Sequence, residues 1–519
     1  MGPVRGSARC EDEGVLPSLT DAEYTPADDG AVAGGEPSST RGLVPGRFLI
    51  PAVAAVAAAR LGLRSISDNS TLVHLRTGLE ILDHGRVPHR DPYSFTAPGH
   101  PWVVQSWLAS ALYALADRVG HHALVLEQGA IFAVVGILIA LCARSSTGPR
   151  WAMGATLAVA ASAPGWSPRP LMLGLACLAL TILVVERRAH PAWLLPIVWV
   201  WVNSHGSFPL GLAWLAARTV GEAVDERGWP RHALARMAMF VVGMAVAVIN
   251  PIGYRLLSFP LVALHKKSTF QGIVEWHSPN FQTPNHFLTL VFVVASLVVL
   301  LRCRVPWAQL LPVCGFLALG LVAARNLGPL GVVLAPALGS ALAATPVRGA
   351  LATRGGPWGA RAERLLSRNW LRAGTALAIV VVGGSFASGS IGRPSLDLGS
   401  YPVAAVDEAA RTGRLGPSHR IAASDVVGCY LIWRTGPATR VFIDDRYDMY
   451  PTRVALDAGI LGAARDDVTY VLDRYQVDTV IWSTSQALPM QLRALGGWRE
   501  LWRDTHWALL VRESTARPA

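Results

Sequence analysis

The chain has 519 residues, 52% of them hydrophobic and 16% charged, with a formal net charge of +11 and a mean hydropathy of +0.36. These proportions lie outside ordinary soluble composition and read as a polytopic membrane protein. The positive balance does not point to nucleic acid, because the basic residues sit in short clusters between apolar runs rather than on one soluble surface.

Residues 1–45 are rich in Gly, Pro, Ser and acids and read as a disordered cytoplasmic tail, with no secretory signal pattern ahead of Phe48. A membrane-crossing helix needs roughly 20 apolar residues. Apolar runs lie near 46–63, 104–119, 123–143, 151–164, 171–185 and 192–202. Others follow near 208–220, 234–249, 286–301, 306–323, 328–345 and 371–388, eleven or twelve in all and several of them short. They define a transmembrane module over 46–390 with a first outer loop at 64–104.

Basic clusters at Arg144–Arg150, Arg187 and Arg188, Arg227–Arg231, Arg302 and Arg304, and Arg348–Arg372 mark the cytoplasmic side. The loops at Asp68, Arg169, Asn203–His205, Asn250–Asn285 and Arg325 then face outward. With Asp68 outside and Arg144 inside, the stretch 103–143 crosses an odd number of times although it holds two apolar runs. The run 103–119 is therefore expected to dock from the outer side. Six scattered cysteines suggest neither a disulfide framework nor a zinc site.

From about 391 to 519 the pattern changes to alternating runs, RVFID and TVIWS, separated by helix-like YPVAAVDEAARTG and DDVTYVLDRYQ. This reads as a small α/β domain, placed on the outer face by the preceding span at 371–388. The fold class expected is thus mainly α: a polytopic transmembrane helix bundle with a small C-terminal α/β extracytoplasmic domain.

In the first outer loop Leu72, Leu75, Leu79 and Leu82 recur at helical spacing, with His74 and Arg76 elsewhere on the wheel, which predicts an interfacial helix lying on the membrane. Asp68 precedes that helix, where its carboxylate serves either as an N-cap or as a catalytic base. Asp91 lies in VPHRDPY, either a turn residue or a second acid. Carboxylates at the lip of a membrane cavity suit a transferase that takes a proton from an acceptor hydroxyl, and arginines suit a phosphate leaving group. Arg90, Arg169 in SPRPLM and Arg325 in AARNLG are the phosphate candidates, with interfacial snorkelling as the plain alternative. Asn203 and His205 in WVNSHGSF end an apolar run where a helix can break beside a cavity, or where the histidine merely caps its helix. Glu275 and Trp276 either hold a sugar ring or anchor the interface. Asp444, Asp445, Arg446 and Asp448 read first as a local ion-pair network at a strand end.

Asp68, His74, Gly78, Gly85 and Pro88 lead into DPYSFT from Asp91, then Trp102 and Trp107. SPRP around Arg169, WVNSHG from Trp201, Asn250–Pro251, Glu275–Trp276, Arg325–Asn326 and VFIDDR from Val441 follow. This succession, over about 46–515, resembles a bacterial group of polytopic proteins of unassigned function. That group is similar to the GT-C superfamily of lipid-linked-sugar glycosyltransferases, including the protein mannosyltransferase and aminoarabinose transferase branches. The resemblance implies a GT-C type bundle, an essential acid on the first outer loop, a polyprenyl-phosphate sugar donor and inverting transfer on the outer face of the plasma membrane. Asp68 stands at the acid's position, but Asn69 and Ser70 follow it where many relatives carry paired acids; Asp68, Asp91 and Glu275 could gather around a divalent ion with water, yet most branches of the superfamily manage without one, so no metal and no cofactor is expected. On this reading Asp68 and Asp91 are catalytic, Arg90, Arg169 and Arg325 bind phosphate, and His74, Asn203, His205, Glu275 and Trp276 bind substrate. The partners implied are the lipid-linked sugar, a cell-envelope acceptor and the bilayer. The alternative is a non-catalytic protein that binds, moves or scaffolds lipid-linked envelope glycans.

Overall fold

The computed structural model describes residues 46–120, 122–144, 151–266, 274–344 and 395–513. The apolar run at 371–388 and the basic run at 348–372 lie outside the described residues. Among the described residues thirteen α-helices occupy the apolar region: α1 (Gly46–Gly62), α2 (Asn69–His84), α3 (Trp107–Val119), α4 (Ala123–Ala143), α5 (Trp151–Ser162), α6 (Leu171–Glu186), α7 (Leu194–Ser204), α8 (Pro209–Glu226), α9 (Arg231–Val246), α10 (Arg255–His265), α11 (Pro284–Arg302), α12 (Trp307–Val322) and α13 (Leu327–Ala344).

Among the described residues three helical segments, Ala123–Ala143, Pro284–Arg302 and Ala324–Ala344, are long and apolar enough to cross a membrane, and four shorter helices are also apolar. Two kinds of span are visible. Every residue of α13 from Leu327 to Gly339 is buried, as expected for a helix that is apolar all round and sits at the centre of the bundle. On α11 the residues Phe287, Val291, Val294, Val298 and Leu301 stay exposed, a continuous stripe that only a lipid environment tolerates. The molecule is a membrane protein, mainly helical, with a small C-terminal sheet.

Polar residues sort to the two ends of the bundle. At one end Arg218 bonds Glu186 (2.6 Å) and Glu222 (2.8 Å), Arg187 donates to the Leu141 carbonyl, and Asp225 accepts from the first amides of α12. At the other end lie Asp68, Arg169, His205, Glu275 and Arg325.

The first loop differs from expectation in one respect. The leucine face of α2 lies against protein rather than lipid: Leu72 and Leu75 are 1% exposed, and Leu75 packs with Tyr113, Ala114 and Leu124. The helices α2 and α3 approach so closely at Gly78 that a Cβ there would overlap the Ser110 carbonyl. With 13 residues, α3 is about 20 Å long against a hydrocarbon core of about 30 Å. It is a docked helix, packed on α2 at one end of the bundle. A second difference is α10, an apolar helix within the stretch read as a polar loop. Its residues Leu261, Val262 and Leu264 are exposed, and it ends at Lys266, whose ammonium donates to the carbonyls of Asp448 (2.6 Å) and Tyr450 (3.2 Å).

The C-terminal domain contains α14 (Val403–Arg411), β1 (Ile421–Ala423), α15 (Asp425–Thr435), α16 (Thr452–Ala463), α17 (Val468–Arg474), β2 (Thr479–Ser483), α18 (Leu488–Leu495), β3 (Trp498–Arg503) and β4 (Trp507–Arg512). The sheet order is β1-β2-β4-β3. β1 and β2 run parallel, and β4 is antiparallel to both β2 and β3. TVIWS is the predicted strand β2; RVFID is not a strand. Only Val441 pairs, with Ile421 on one side and with Ser94 of the first loop on the other. The segment joins the first loop to the domain instead of extending the sheet.

That junction is extensive. Phe95 N donates to the Val441 carbonyl and Val441 N to the Tyr93 carbonyl, Thr96 Oγ1 bonds the Phe442 carbonyl (2.6 Å), and Phe95 packs edge-on against Phe442. Ile66 bridges Leu396, and the Tyr401 hydroxyl donates to the Ser67 carbonyl (3.0 Å).

Candidate functional site

Asp68 is the N-cap of α2 and its Oδ1 accepts from Thr71 N at 3.3 Å. Its second oxygen is spoken for as well: Oδ2 accepts from Arg169 Nε at 2.8 Å. The two sequence readings of this residue, cap and functional acid, are therefore compatible, because the carboxylate has two oxygens and uses one for each. Arg169 sits just before α6, and Thr71 fixes that loop by donating to the Pro168 carbonyl (2.5 Å).

The Arg169 guanidinium is gripped from a second side by Glu275 Oε1, 2.6 Å from Nη1. Burial works against its charge, but Asp68, Glu275 and Asp445 outweigh that and hold it protonated beyond the ordinary arginine range. Beside Glu275, Trp276 lies under the Arg325 guanidinium at 4.4 Å, a cation–π contact that keeps a partly buried charge in place. The segment carrying Trp276 is tied to that carrying Arg325 by Ala324 N donating to the His277 carbonyl (2.9 Å).

Two histidines stand nearby and both are neutral. Burial, with Arg169 contributing, lowers His74 to about 4, and its Nδ1 pairs with Ser110 Oγ at 2.9 Å. Burial, with Arg325 contributing, lowers His205 to about 3. Its Nδ1 accepts from Ser207 N at 3.2 Å, so it holds the chain where α7 breaks.

The remaining expected site residues are placed elsewhere. Asn203 is fully buried; it accepts from Trp107 Nε1 (2.8 Å) and donates to the Trp199 carbonyl (2.7 Å), tying α3 to α7. Arg90 is exposed and donates to the Gly99 carbonyl within its own loop. Asp91 is 4% exposed and forms a turn, accepting from the amides of Tyr93 and Ser94 and from the Ser94 hydroxyl. Its other partner is Arg446 at 2.8 Å, which also bonds Asp444 at 2.7 Å and stacks on Tyr93 and Trp102. Asp91 thus belongs to the junction between the first loop and the C-terminal domain, and the ion-pair network read around Arg446 extends across that junction.

Asp445 was not singled out by the sequence as distinct from its neighbour. Within this irregular segment Asp444 accepts from the amide and guanidinium of Arg446, while Asp445 pairs with Ser70 and lies near Arg169 and Asp68. Burial, and then the Asp444 charge, raise Asp445 to about 7. A carboxyl whose folded value exceeds its unfolded one favours the folded state at low pH. Its contribution declines as pH rises from about 4 and is lost above about 7. Asp448, raised to about 6 mainly by burial, acts in the same sense. Thermal unfolding of Asp445→Asn should therefore lose part of the wild-type decline in stability between pH 4 and 7. A variant whose pH profile coincides with wild type would show that Asp445 is not held protonated.

Beside Arg169 a small cleft opens, lined by Thr71, Tyr113, Leu124, Ile131, Phe132 and Met172. Its lining also includes Pro168, Arg169 and Gln128, and its free volume of about 10 Å³ is that of a single water.

The chain is similar to two solved structures of ArnT from Cupriavidus metallidurans, one bound to undecaprenyl phosphate and one in the apo state. Identity is 15% in both cases and the TM-score 0.49. The alignments cover 91% of this chain and 99% of that chain for the bound form, and 89% and 97% for the apo form. No family model and no curated protein matches the sequence.

Proposed function

We propose that this chain is an integral-membrane glycosyltransferase that moves a sugar from a polyprenyl-phosphate donor to a cell-envelope acceptor at the outer face of the membrane. The observation that carries the reading is the position of Arg169: it is held between Asp68 and Glu275 beside apolar helix surface. A lipid phosphate has two chemically opposite ends, and a fixed guanidinium next to apolar surface suits both.

The ligand-free ion pairs fit this use. Arg169 spends one donor on each carboxylate; a phosphate oxygen arriving at the fork competes with Asp68 for Nε. Binding of the donor thereby releases the carboxylate that accepts the proton of the acceptor hydroxyl as its oxygen bonds to the anomeric carbon and the phosphate leaves. Arg325, fixed on Trp276, is the second cation for the departing phosphate. Glu275 orients Arg169, His74 and His205 are neutral hydrogen-bonding groups of the pocket, and Asp91 acts at a distance by holding the C-terminal domain on the first loop.

The test is turnover of a panel of polyprenyl-phosphate sugars by detergent-purified protein, following release of free polyprenyl phosphate. Wild type is expected to release it from at least one donor. Arg325→Ala should raise the donor KM about tenfold to a hundredfold, the scale of about 1.5–3 kcal/mol for a hydrogen bond to a charged group. Tight binding of donors without release from any of them would favour a protein that handles lipid-linked glycans without chemistry.

A further inference from the structure

The C-terminal domain has a second concavity, built from none of the residues above. At the carboxyl ends of the parallel strands β1 and β2 lies a cavity of about 460 Å³, lined among others by Ser424, Asp425, Tyr447, Gly459, Arg465 and Trp482. In α/β folds this crevice is where ligands bind, because successive connections leave the strand ends in different directions and open a gap.

Two independent features mark it as a site. The helix α16 presents Gly459 and Gly462 to the cavity, and a Cβ at either position would meet nothing within 4 Å. No close packing calls for glycine there, although glycine inside a helix is destabilising relative to alanine. The open helix surface forms a floor on which a flat ligand can lie. The second feature is Trp482. It lines the cavity and is 3% exposed, yet its indole N–H has no acceptor among the described residues. A buried donor left unpaired is costly, and an oxygen of a bound ligand would satisfy it.

The surrounding groups select the ligand class. Asp425 stands in the first turn of α15, where its Oδ1 accepts from Val426 N (2.9 Å) and its Oδ2 from the Tyr447 hydroxyl (3.2 Å). A carboxylate at that helix start occupies the place where an anion would bind and repels it. A purely apolar ligand is disfavoured too, because Ser424, Asp425 and Arg465 would lose water without replacement. One acid, one guanidinium, two hydroxyls, an indole N–H and an open glycine floor suit a neutral, hydroxyl-rich ring. We infer that this crevice binds a neutral saccharide. The inference does not depend on transfer chemistry at Asp68.

Full-length protein, purified in a detergent without a sugar headgroup, is titrated calorimetrically with maltotriose, cellotriose, mannotriose and chitotriose, and with inorganic pyrophosphate for comparison. At least one oligosaccharide should bind saturably. Gly459→Phe and Gly462→Phe, which grow into open space, should each weaken it at least about tenfold, while Asp68→Asn leaves it unchanged. The inference is overturned if no oligosaccharide binds, if pyrophosphate binds instead, or if binding survives either phenylalanine. Loss of the thermal transition in a phenylalanine variant would also overturn it, by showing that the space is not open.

Discussion

Asp68→Asn is expected to lower turnover by about 10²–10⁴, the usual contribution of a positioned acid–base group, while leaving the protein folded. The substitution is informative because asparagine caps helices as well as aspartate does, so the bond to Thr71 N persists and α2 keeps its start. What disappears is the negative charge facing Arg169 Nε. On the proposed reading that charge competes with the donor phosphate, so the donor KM should stay level or fall as kcat collapses. Asp68→Ala separates the two roles, since it loses the cap too and should cost about 1 kcal/mol of stability. Turnover by Asp68→Asn within a few-fold of wild type would remove Asp68 from the chemistry, whatever the fate of the lipid.

The largest structural effect is expected at Arg446. Its side chain is 7% exposed and faces two carboxylates, Asp91 and Asp444, that are 0% exposed. Removing one partner of a buried ion pair costs about 3–5 kcal/mol, because the other charge is left without compensation. Arg446→Leu leaves two such carboxylates beside one another. The junction should open, and hydrogen exchange should rise together in residues 86–106 and 441–450, the two segments that meet there. Exchange that rises in the C-terminal segment alone would show that the first loop holds its shape without the domain.

Much of the bundle is legible in the sequence because lipid imposes length and apolarity directly. The run read at 123–143 is α4 to the residue. Legibility fails where apolar residues meet protein instead. The leucines of α2 have the periodicity of a membrane-surface helix, but periodicity states only that one face avoids water, and α3 supplies the cover. RVFID has strand composition, yet only Val441 pairs, with Ile421 of β1 and with Ser94, far away in the chain. Within the site, Arg169 and Arg325 stand out because charge beside apolar runs is expensive unless held, and Glu275 and Trp276 because an acid stands beside an aromatic. Asn203 shows the opposite limit: an amide at a helix break suits a ligand or a neighbouring indole equally, and here Trp107 takes it. Asp445 was hidden beside Asp444, because sequence alone does not tell which of two adjacent acids turns to Arg446.

The junction also sets an order of events during synthesis. Thr96 and its partner Phe442 are separated by 346 positions, and Asp91 waits for Arg446 across a similar interval. The first loop is made before its partners and cannot close until residues 441–446 have been translated. Chains terminated early carry an exposed, uncompensated acid and an unpaired strand edge, features by which surveillance proteases and chaperones distinguish unfinished molecules from complete ones.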